Sequence, residues 1–267
     1  MQQEVQQNKE ELGHNVKEEG RYIYCVAEKG KMDTFQEQGI ENNPVYAICQ
    51  GDLCAIVHDC PAIPYISKDK EQVIIWVKAH QKIIDATYAQ LGNVIPFTFD
   101  VIIKGKNPEQ LVMEWLKRDE EELKKKIERT KGKQEFGIKI FLNKEHITTT
   151  IDMNNKEIQE IKENIKTAKI GMAYFHKQKI QKIVERESEK YAALYFKEVY
   201  NQIIPLTYDI KVEKTQKQDD TIMILHASVL VKKEDVQMLG AILEHINKKQ
   251  GFSVEFTGPW PPYSFTS

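Results

Sequence analysis

The sequence predicts an α+β protein of two domains, and three observations point to that class. The chain has 267 residues, a length that suits two domains of ordinary size better than one. Its apolar content of 41% is enough to fill hydrophobic cores. In both halves, short β-like apolar runs lie between longer runs of helical periodicity, so each domain is expected to contain strands and helices.

The first domain is expected over residues 21–104, after a leader of residues 1–20. The leader is rich in Glu, Gln and Lys and is predicted to be disordered. The predicted elements of the domain are strands at 21–27, 45–49 and 53–58, a helix that Ser67 caps and Gly92 ends, and a strand at 94–103. With a short helical turn through Met32 and Phe35, the order is β-(α)-β-β-α-β.

A single helix is predicted to connect the domains within residues 105–133. Pro108 suits its first turn, and apolar residues recur from Leu111 to Leu123. The block Asp119–Lys126 has mixed charge, which is typical of a solvated helix face with ion pairs four residues apart.

The second domain is expected over residues 134–256. Its predicted elements are a strand at 136–142, a helical region at about 155–200, strands at 203–212 and 221–231 with a polar turn at 216–220 between them, a helix at 232–247 and a strand at 252–256. This order, βαββαβ, is the ferredoxin-like one, and the first domain is expected to be a degenerate version of it. The helical region is unusually long and loses its apolar phase near Gly171, which predicts two helices or a kinked one, partly extending beyond the sheet.

The composition argues against two classes of partner. With 38 basic and 40 acidic residues, the formal charge is −2 and the pI about 6.4, which does not favour nucleic acid. No apolar stretch is long enough to span a lipid membrane, and the N-terminal residues do not resemble a secretory signal. We therefore expect a cytoplasmic protein.

The chain has 4 cysteines, at positions 25, 49, 54 and 60. Buried free thiols are the favoured interpretation for a reducing compartment. The alternative is a metal site that combines these residues with His58, although the spacing contains no CxxC pair.

The sequence carries no recognisable catalytic motif. It has no P-loop, no GxGxxG after a strand, no GxSxG and no HExxH. No Ser or Cys nucleophile is recognisable beside His176 or His226, so both are interpreted as structural. A ferredoxin-like domain that binds RNA or senses a small molecule is the alternative function; the first lacks an RNP-like run, and the second leaves little trace in a sequence.

The chain ends in a proline- and aromatic-rich string, Thr257-Gly258-Pro259-Trp260-Pro261-Pro262-Tyr263-Ser264-Phe265. One interpretation is a tail that wraps its own domain, with Trp260 filling a groove. The other is a rigid aromatic surface that is offered to a partner.

This string resembles the C-terminal signature of the gas vesicle protein F/L family. Weaker similarities follow in the family's order: Tyr22-Ile23-Tyr24 in its opening strand, Val94–Phe99 in its Pro-x-x-Phe strand, and Gly171–Phe175 in its Gly-x-Ala-Tyr segment. Thr98 and Asp100 stand where the family often carries Arg and then Phe-Gly, so no role is assigned to that arginine.

The resemblance implies a non-enzymatic accessory protein of gas vesicle assembly, without a cofactor or metal, associated with the vesicle in the cytoplasm. It implies contact with the small, hydrophobic major shell protein and with other accessory gas vesicle proteins, rather than with nucleic acid or a lipid membrane. We hypothesise that aromatic residues of the tail and of the long helical region make this contact, with Trp260 and Tyr263 as anchors. The candidate residues are Pro259, Trp260, Pro261, Pro262, Tyr263, Phe265, Tyr174 and Phe175.

Overall fold

The structure, a computed structural model, describes residues 18–30, 37–167, 170–215 and 219–266. It divides into two compact units. Among the described residues, unit 1 comprises those up to Lys131 together with those from Pro261, and unit 2 comprises those from Gly132 to Trp260. Each unit contains one antiparallel sheet and several helices, so the protein is α+β as the sequence predicts.

Each unit is formed mainly by one continuous part of the chain. Unit 1 contains β1 (Glu19–Glu28), β2 (Tyr46–Gln50), β3 (Leu53–Pro61), α1 (Lys70–Leu91), β4 (Ile95–Pro96), β5 (Ile102–Lys104), α2 (Pro108–Arg118) and α3 (Glu120–Thr130). Unit 2 contains β6 (Lys133–Asn143), α4 (Lys144–Asn154), α5 (Lys156–Thr167), α6 (Ile170–Ile203), β7 (Asp209–Val212), β8 (Thr221–Lys232), α7 (Val236–Asn247) and β9 (Phe252–Trp260). The last helix, α8 (Tyr263–Thr266), belongs to unit 1.

The sheet of unit 1 has the order β2-β3-β1-β4, and β5 also pairs with β1. A β-bulge in β1 shifts the register between Ile23 and Cys25. Because of this shift, two successive residues, Tyr24 and Cys25, contribute to the same hydrophobic cluster. That cluster includes residues of α1, while a second cluster includes Ile23 and residues of α2 and α3, so helices cover both faces of the sheet.

Helix α1 starts two residues later than Ser67 would place it. The N-cap is Asp69, whose side chain accepts a hydrogen bond from the N–H of Glu71, while Ser67 accepts one from the N–H of Asp69. Gly92 ends the helix as predicted, in the left-handed conformation at φ 73°.

Two predictions for the rest of unit 1 are wrong. The strand expected over residues 94–103 is divided into β4 and β5, because Pro96 lacks an N–H donor and Asp100 has φ 73°. The single connecting helix is two helices, α2 and α3, which meet at Asp119. Both pack their apolar sides on the sheet of unit 1, so they form part of this unit's core.

The sheet of unit 2 has the order β7-β8-β6-β9, with all pairs antiparallel. Its apolar side chains form one cluster with residues of α4, α5, α6 and α7. Helix α4 is not predicted by the sequence, because its Thr-rich segment has weak helical periodicity. Helices α5 and α6 are separate, as one of the two sequence-based interpretations has it.

Two strands of unit 2 differ from their predicted bounds. The first half of the strand expected at 203–212 is the end of α6 and a 3-10 turn, because Val199 and Ile203 lie one helical turn apart and are both buried. Strand β9 extends four residues beyond Phe256, to Trp260.

Some expectations fall on residues that the structure does not describe. They are the leader up to residue 17, the turn through Met32 and Phe35, and the start of the turn at Gln216. The last two residues of the predicted leader lie in β1, which begins at Glu19.

The expectation of free thiols is wrong for two of the cysteines. Cys49 and Cys54 lie directly opposite each other on β2 and β3 and form a disulfide. Cys25 and Cys60 are free and buried. Sequence spacing could not show that the turn at Gln50–Asp52 would bring the first pair into register.

Candidate functional site

The start of helix α6 presents an exposed apolar surface. Met172 is 55% exposed, Tyr174 61% and Phe175 67%. The rings of Tyr174 and Phe175 meet edge to face with centroids 6.2 Å apart, and the Tyr174 hydroxyl accepts a hydrogen bond from Gln178 Nε2 at 2.8 Å. Exposed aromatic side chains of this kind are typical anchors of protein interfaces.

This surface belongs to the part of α6 that contributes least to the core of unit 2. The helix has 34 residues and is therefore about 51 Å long at ~1.5 Å per residue. Its first buried side chain in the described part is Ile183, whereas Val199 and Ile203 are buried near its end. At its start the helix is supported by α5, through contacts between the two helices and an ion pair between Lys179 and Glu157 at 3.0 Å. We call Met172, Tyr174 and Phe175 the α6 surface.

Trp260, at the end of β9, is a further exposed aromatic residue of unit 2. It is 45% exposed, so it does not fill a groove, and its Nε1–H donates to Thr257 Oγ1 at 3.3 Å. Gly258, two residues earlier, has φ 125°, and a Cβ there would lie 2.9 Å from the carbonyl oxygen of Glu135. Only glycine therefore fits at this position of β9, two residues before Trp260. Pro259 is exposed beside it.

The rest of the C-terminal string lies in the core of unit 1. Pro261 and Pro262 are buried and Phe265 is 1% exposed. Tyr263 is half-buried against the cluster around α1, and its hydroxyl donates to Gln81 Oε1 at 2.8 Å. These four candidate residues are thus engaged with their own chain, and Trp260, Pro259, Tyr174 and Phe175 are the candidates that remain exposed.

Under α1, unit 1 buries a cluster of tyrosine and histidine side chains that the sequence did not predict. Tyr22 and Tyr24 of β1 bond to His80 Nδ1 and His58 Nδ1 at 2.9 and 2.8 Å. Each tyrosine also stacks on the other histidine, with centroids 4.9 Å apart for Tyr22–His58 and 5.6 Å for Tyr24–His80. Tyr65 completes the cluster with a hydroxyl 3.0 Å from His58 Nε2.

The hydrogen bonds define the tautomer of His80. Its Nε2 lies 3.1 Å from the carbonyl oxygen of Phe97, which can only accept, so Nε2 carries the proton. The neutral ring then accepts at Nδ1 from the Tyr22 hydroxyl, which itself accepts from the N–H of Asp100. Burial lowers the pKa of His80 to about 4, against a smaller opposite effect of the Phe97 bond.

His58 is neutral for a similar reason. Burial lowers its pKa to about 4, while the nearby charge of Asp59 acts in the opposite direction. Both ring nitrogens are occupied by tyrosine hydroxyls, and Cys49 and Cys54 are bonded to each other. Within the described residues, no group of three His, Cys, Asp or Glu side chains has the arrangement of a metal site.

The signal for this cluster is present in the sequence. Tyr22 and Tyr24 are two residues apart on a strand, and His80 falls in the buried helical phase of Trp76, Ile83 and Ile84. What the sequence could not show is that these two faces meet.

Unit 2 contains a cavity of about 520 Å³ between α4, α6 and the start of β8. Its lining combines apolar side chains such as Ile147, Val184 and Met223 with the carboxylates of Glu185 and Glu189. Its size is within the range of small-molecule sites.

The histidines considered as catalytic bases have other surroundings. His226 lies 3.7 Å from Glu213 through Nε2 and 3.4 Å from the carbonyl oxygen of Lys214 through Nδ1. The hydroxyl of Ser228 donates to Glu213, so it is not aligned with the imidazole as a nucleophile would be. No described helix combines the length and apolar character needed to cross a lipid bilayer.

Comparisons of this chain with a family model and with individual proteins point to the same family. The model of the gas vesicle synthesis protein GvpL/GvpF family matches residues 20–267. Gas vesicle protein L1 of Halobacterium salinarum is 28% identical, over 92% of this chain and 90% of that protein. Gas vesicle protein F of Dolichospermum flosaquae is 20% identical, over 91% of this chain and 96% of that protein.

Two solved structures have the same fold. The crystal structure of GvpF from Anabaena sp. PCC7120 superposes with a TM-score of 0.75 at 16% identity, over 93% of this chain and 98% of that one. GvpF from Microcystis aeruginosa gives a TM-score of 0.65 at 18% identity, over 93% and 99% of the two chains.

Proposed function

We propose that this chain, which belongs to the gas vesicle synthesis protein GvpL/GvpF family, binds the major shell protein during nucleation or growth of the gas vesicle. In this proposal it acts as a cytoplasmic, non-enzymatic scaffold and also contacts other accessory gas vesicle proteins. A shell subunit with an apolar surface is prone to aggregate before assembly, and a protein that covers this surface would reduce that hazard.

The main support for this proposal is the exposure of the α6 surface. A soluble protein rarely leaves two neighbouring aromatic rings more than 60% exposed unless a partner covers them. Their burial in a complex would remove apolar area from water at about 25 cal/mol per Å² before the costs of association. Trp260 is the second proposed contact, because it is exposed and its backbone pairs with Glu135 of β6.

The buried part of the string has a different proposed role. Pro261, Pro262, Tyr263 and Phe265 would hold the end of the chain in unit 1 and would contact no partner while they stay there. Tyr263 is therefore a weaker candidate anchor than the sequence suggests, and Trp260 a stronger one.

We further propose that unit 2 is a ferredoxin-like domain with an extended helical insertion. Its strands, numbered from the first, have the sheet order 2-3-1-4, and the chain runs β, helices, β, β, α, β. Unit 1 has the same order for β1 to β4, which supports a degenerate version of the same arrangement.

The experiment is a quantitative binding assay between the full chain and the major shell protein kept soluble as a fusion. The double variant Tyr174→Ala/Phe175→Ala should weaken binding by at least about tenfold, as loss of interface anchors does. Leu194→Ala is the matched control, because Leu194 is 58% exposed on the same helix but outside the α6 surface.

Trp260→Ala is measured in parallel. Binding unchanged in this variant would remove Trp260 from the contact, and binding unchanged in the double variant would refute the α6 surface. Point substitutions are preferable to truncation after Phe256, because that truncation would remove part of β9 and the buried residues of unit 1.

The cavity of unit 2 supports a second candidate function, the sensing of a small molecule. A ligand bound there should raise the melting temperature by mass action, and Ala192→Trp, which places a large ring in the cavity, should abolish the increase. An absence of any shift across a metabolite library would exclude this candidate for the compounds tested.

A further inference from the structure

Helix α1 of unit 1 has an exposed stripe that the proposed function does not use. Ile74 is 51% exposed and Ile75 58%, and the charged residues Glu71 and Lys78 flank them, also exposed. At 100° per residue these four positions lie within roughly 100° of the helix circumference, so they form one face. We call them the α1 stripe.

The opposite face of α1 fixes this stripe in place. Trp76 and His80 are buried in unit 1, and His80 is bonded to Tyr22 and to the backbone at Phe97. The stripe is therefore presented by a rigid element whose orientation does not need to form on binding.

The loop that precedes the helix also exposes apolar side chains. Ile63 is 65% exposed and Ile66 79%, and Val77 on α1 is 41% exposed. Together with Ile74 and Ile75, they make this segment of the chain rich in exposed β-branched side chains, which favours an interface on this side of unit 1.

We infer that the α1 stripe is a homodimer interface, in which the helix packs antiparallel against α1 of a second copy. The residues are arranged as Glu71-x-x-Ile74-Ile75-x-x-Lys78. A two-fold axis between Ile74 and Ile75 brings each isoleucine against the other isoleucine of the second copy. The same axis places Glu71 opposite Lys78 of the second copy, twice.

The charges of Glu71 and Lys78 favour an antiparallel second copy over other partners. Among the described residues, neither Glu71 nor Lys78 forms an ion pair within the chain, so both side chains can pair with charges of a partner. An antiparallel second copy satisfies both charges at once, whereas a parallel copy would place Glu71 against Glu71. A partner of uniform charge would repel one end of the stripe.

The test is sedimentation equilibrium of the full chain from about 1 to about 200 μM, a range that brackets micromolar dissociation constants. The wild-type chain should be in monomer–dimer equilibrium. Glu71→Lys and Lys78→Glu should each raise the dissociation constant by at least about tenfold. The double variant exchanges the charges of both ion pairs and should return to within about threefold of wild type.

Two further variants test the apolar centre. Ile75→Glu should leave only monomer, while Met238→Glu, at a residue 61% exposed on α7 of unit 2, should leave the dimer unchanged. Circular dichroism and urea unfolding of each variant verify the fold, which an exposed substitution should not disturb.

Three outcomes would overturn the inference. They are a wild-type chain that is monomeric throughout the range, a dimer that survives Ile75→Glu, and a charge exchange that does not restore association. A monomeric wild type in which Ile75→Glu abolishes binding of the shell protein would assign the face to that partner instead.

Discussion

Acidification from pH 7 to pH 5 should destabilise unit 1 through its two buried histidines. In the folded chain burial lowers the pKa of both His58 and His80 to about 4, whereas the unfolded value is about 6.5. Folding therefore favours the neutral rings, and unfolding takes up protons when the pH is between these values. The stabilisation is complete above pH 6.5 and is lost as the pH falls towards 4.

The magnitude follows from the size of the shift. At pH 5 each histidine is about 1.5 pH units below its unfolded pKa, and 1.36 kcal/mol per unit gives about 2 kcal/mol. The two together give about 4 kcal/mol, a large part of the ~5–15 kcal/mol that stabilises a typical domain. Most carboxylates titrate below this window, so the histidines dominate it.

The assay is urea unfolding at pH 7, 6 and 5, with the tryptophan fluorescence of Trp76 and Trp115 as the reporter of unit 1. The free energy of unfolding should fall by about 2.3 kcal/mol between pH 6 and 5, because the unfolded rings are not yet fully protonated at pH 6. His80→Gln should lower the starting stability but also halve this slope. A stability that does not change from pH 7 to 5, or an undiminished slope in His80→Gln, would refute the neutral Tyr–His cluster.

Three other predictions concern the interior of unit 1. Phe265→Ala should cost about 3–5 kcal/mol in urea unfolding because the ring is 1% exposed; a cost below about 1 kcal/mol would contradict the packed tail. Burial raises the pKa of Cys25 to about 12 and that of Cys60 to about 11, so a thiol reagent at pH 8 should label both quickly only in denaturant. Fast labelling of the native chain would show that they are accessible. Gly39→Ala should cost about 1–3 kcal/mol, because its Cβ would meet the Tyr24 hydroxyl; equal melting temperatures would contradict this close approach.

The sequence predicts an element well when one face of it is buried, because its apolar residues then recur at regular spacing. Helix α1 and strand β8 are examples, because the apolar phase and the glycine after α1 are local signals. The strand predicted over residues 203–212 is confirmed only in its second half, β7. Its first half is helical, because its β-branched residues suit a strand and only the packing of Ile203 continues the helix. Tertiary contacts decide such ambiguous segments.

The proposed contact residues were also predictable only in part. The exposed aromatic pair on α6 was proposed from the sequence, and its exposure follows from a helix that is longer than the sheet needs. For the C-terminal string, the sequence left both a wrapped tail and a presented surface open. The structure divides it at Trp260, because the preceding residues continue β9 and the following ones return to the core of unit 1. No local pattern distinguishes exposed from buried aromatic residues in such a string.

Hydrogen–deuterium exchange of the full chain, alone and saturated with the soluble shell-protein fusion, would locate the shell-protein contact on this chain. In the complex, exchange should be slower in peptides that cover residues 171–179 at the start of α6 and unchanged in the buried strand β1. Protection absent from the start of α6 at saturation, or protection confined to α1, would contradict the claim that the shell protein binds the α6 surface.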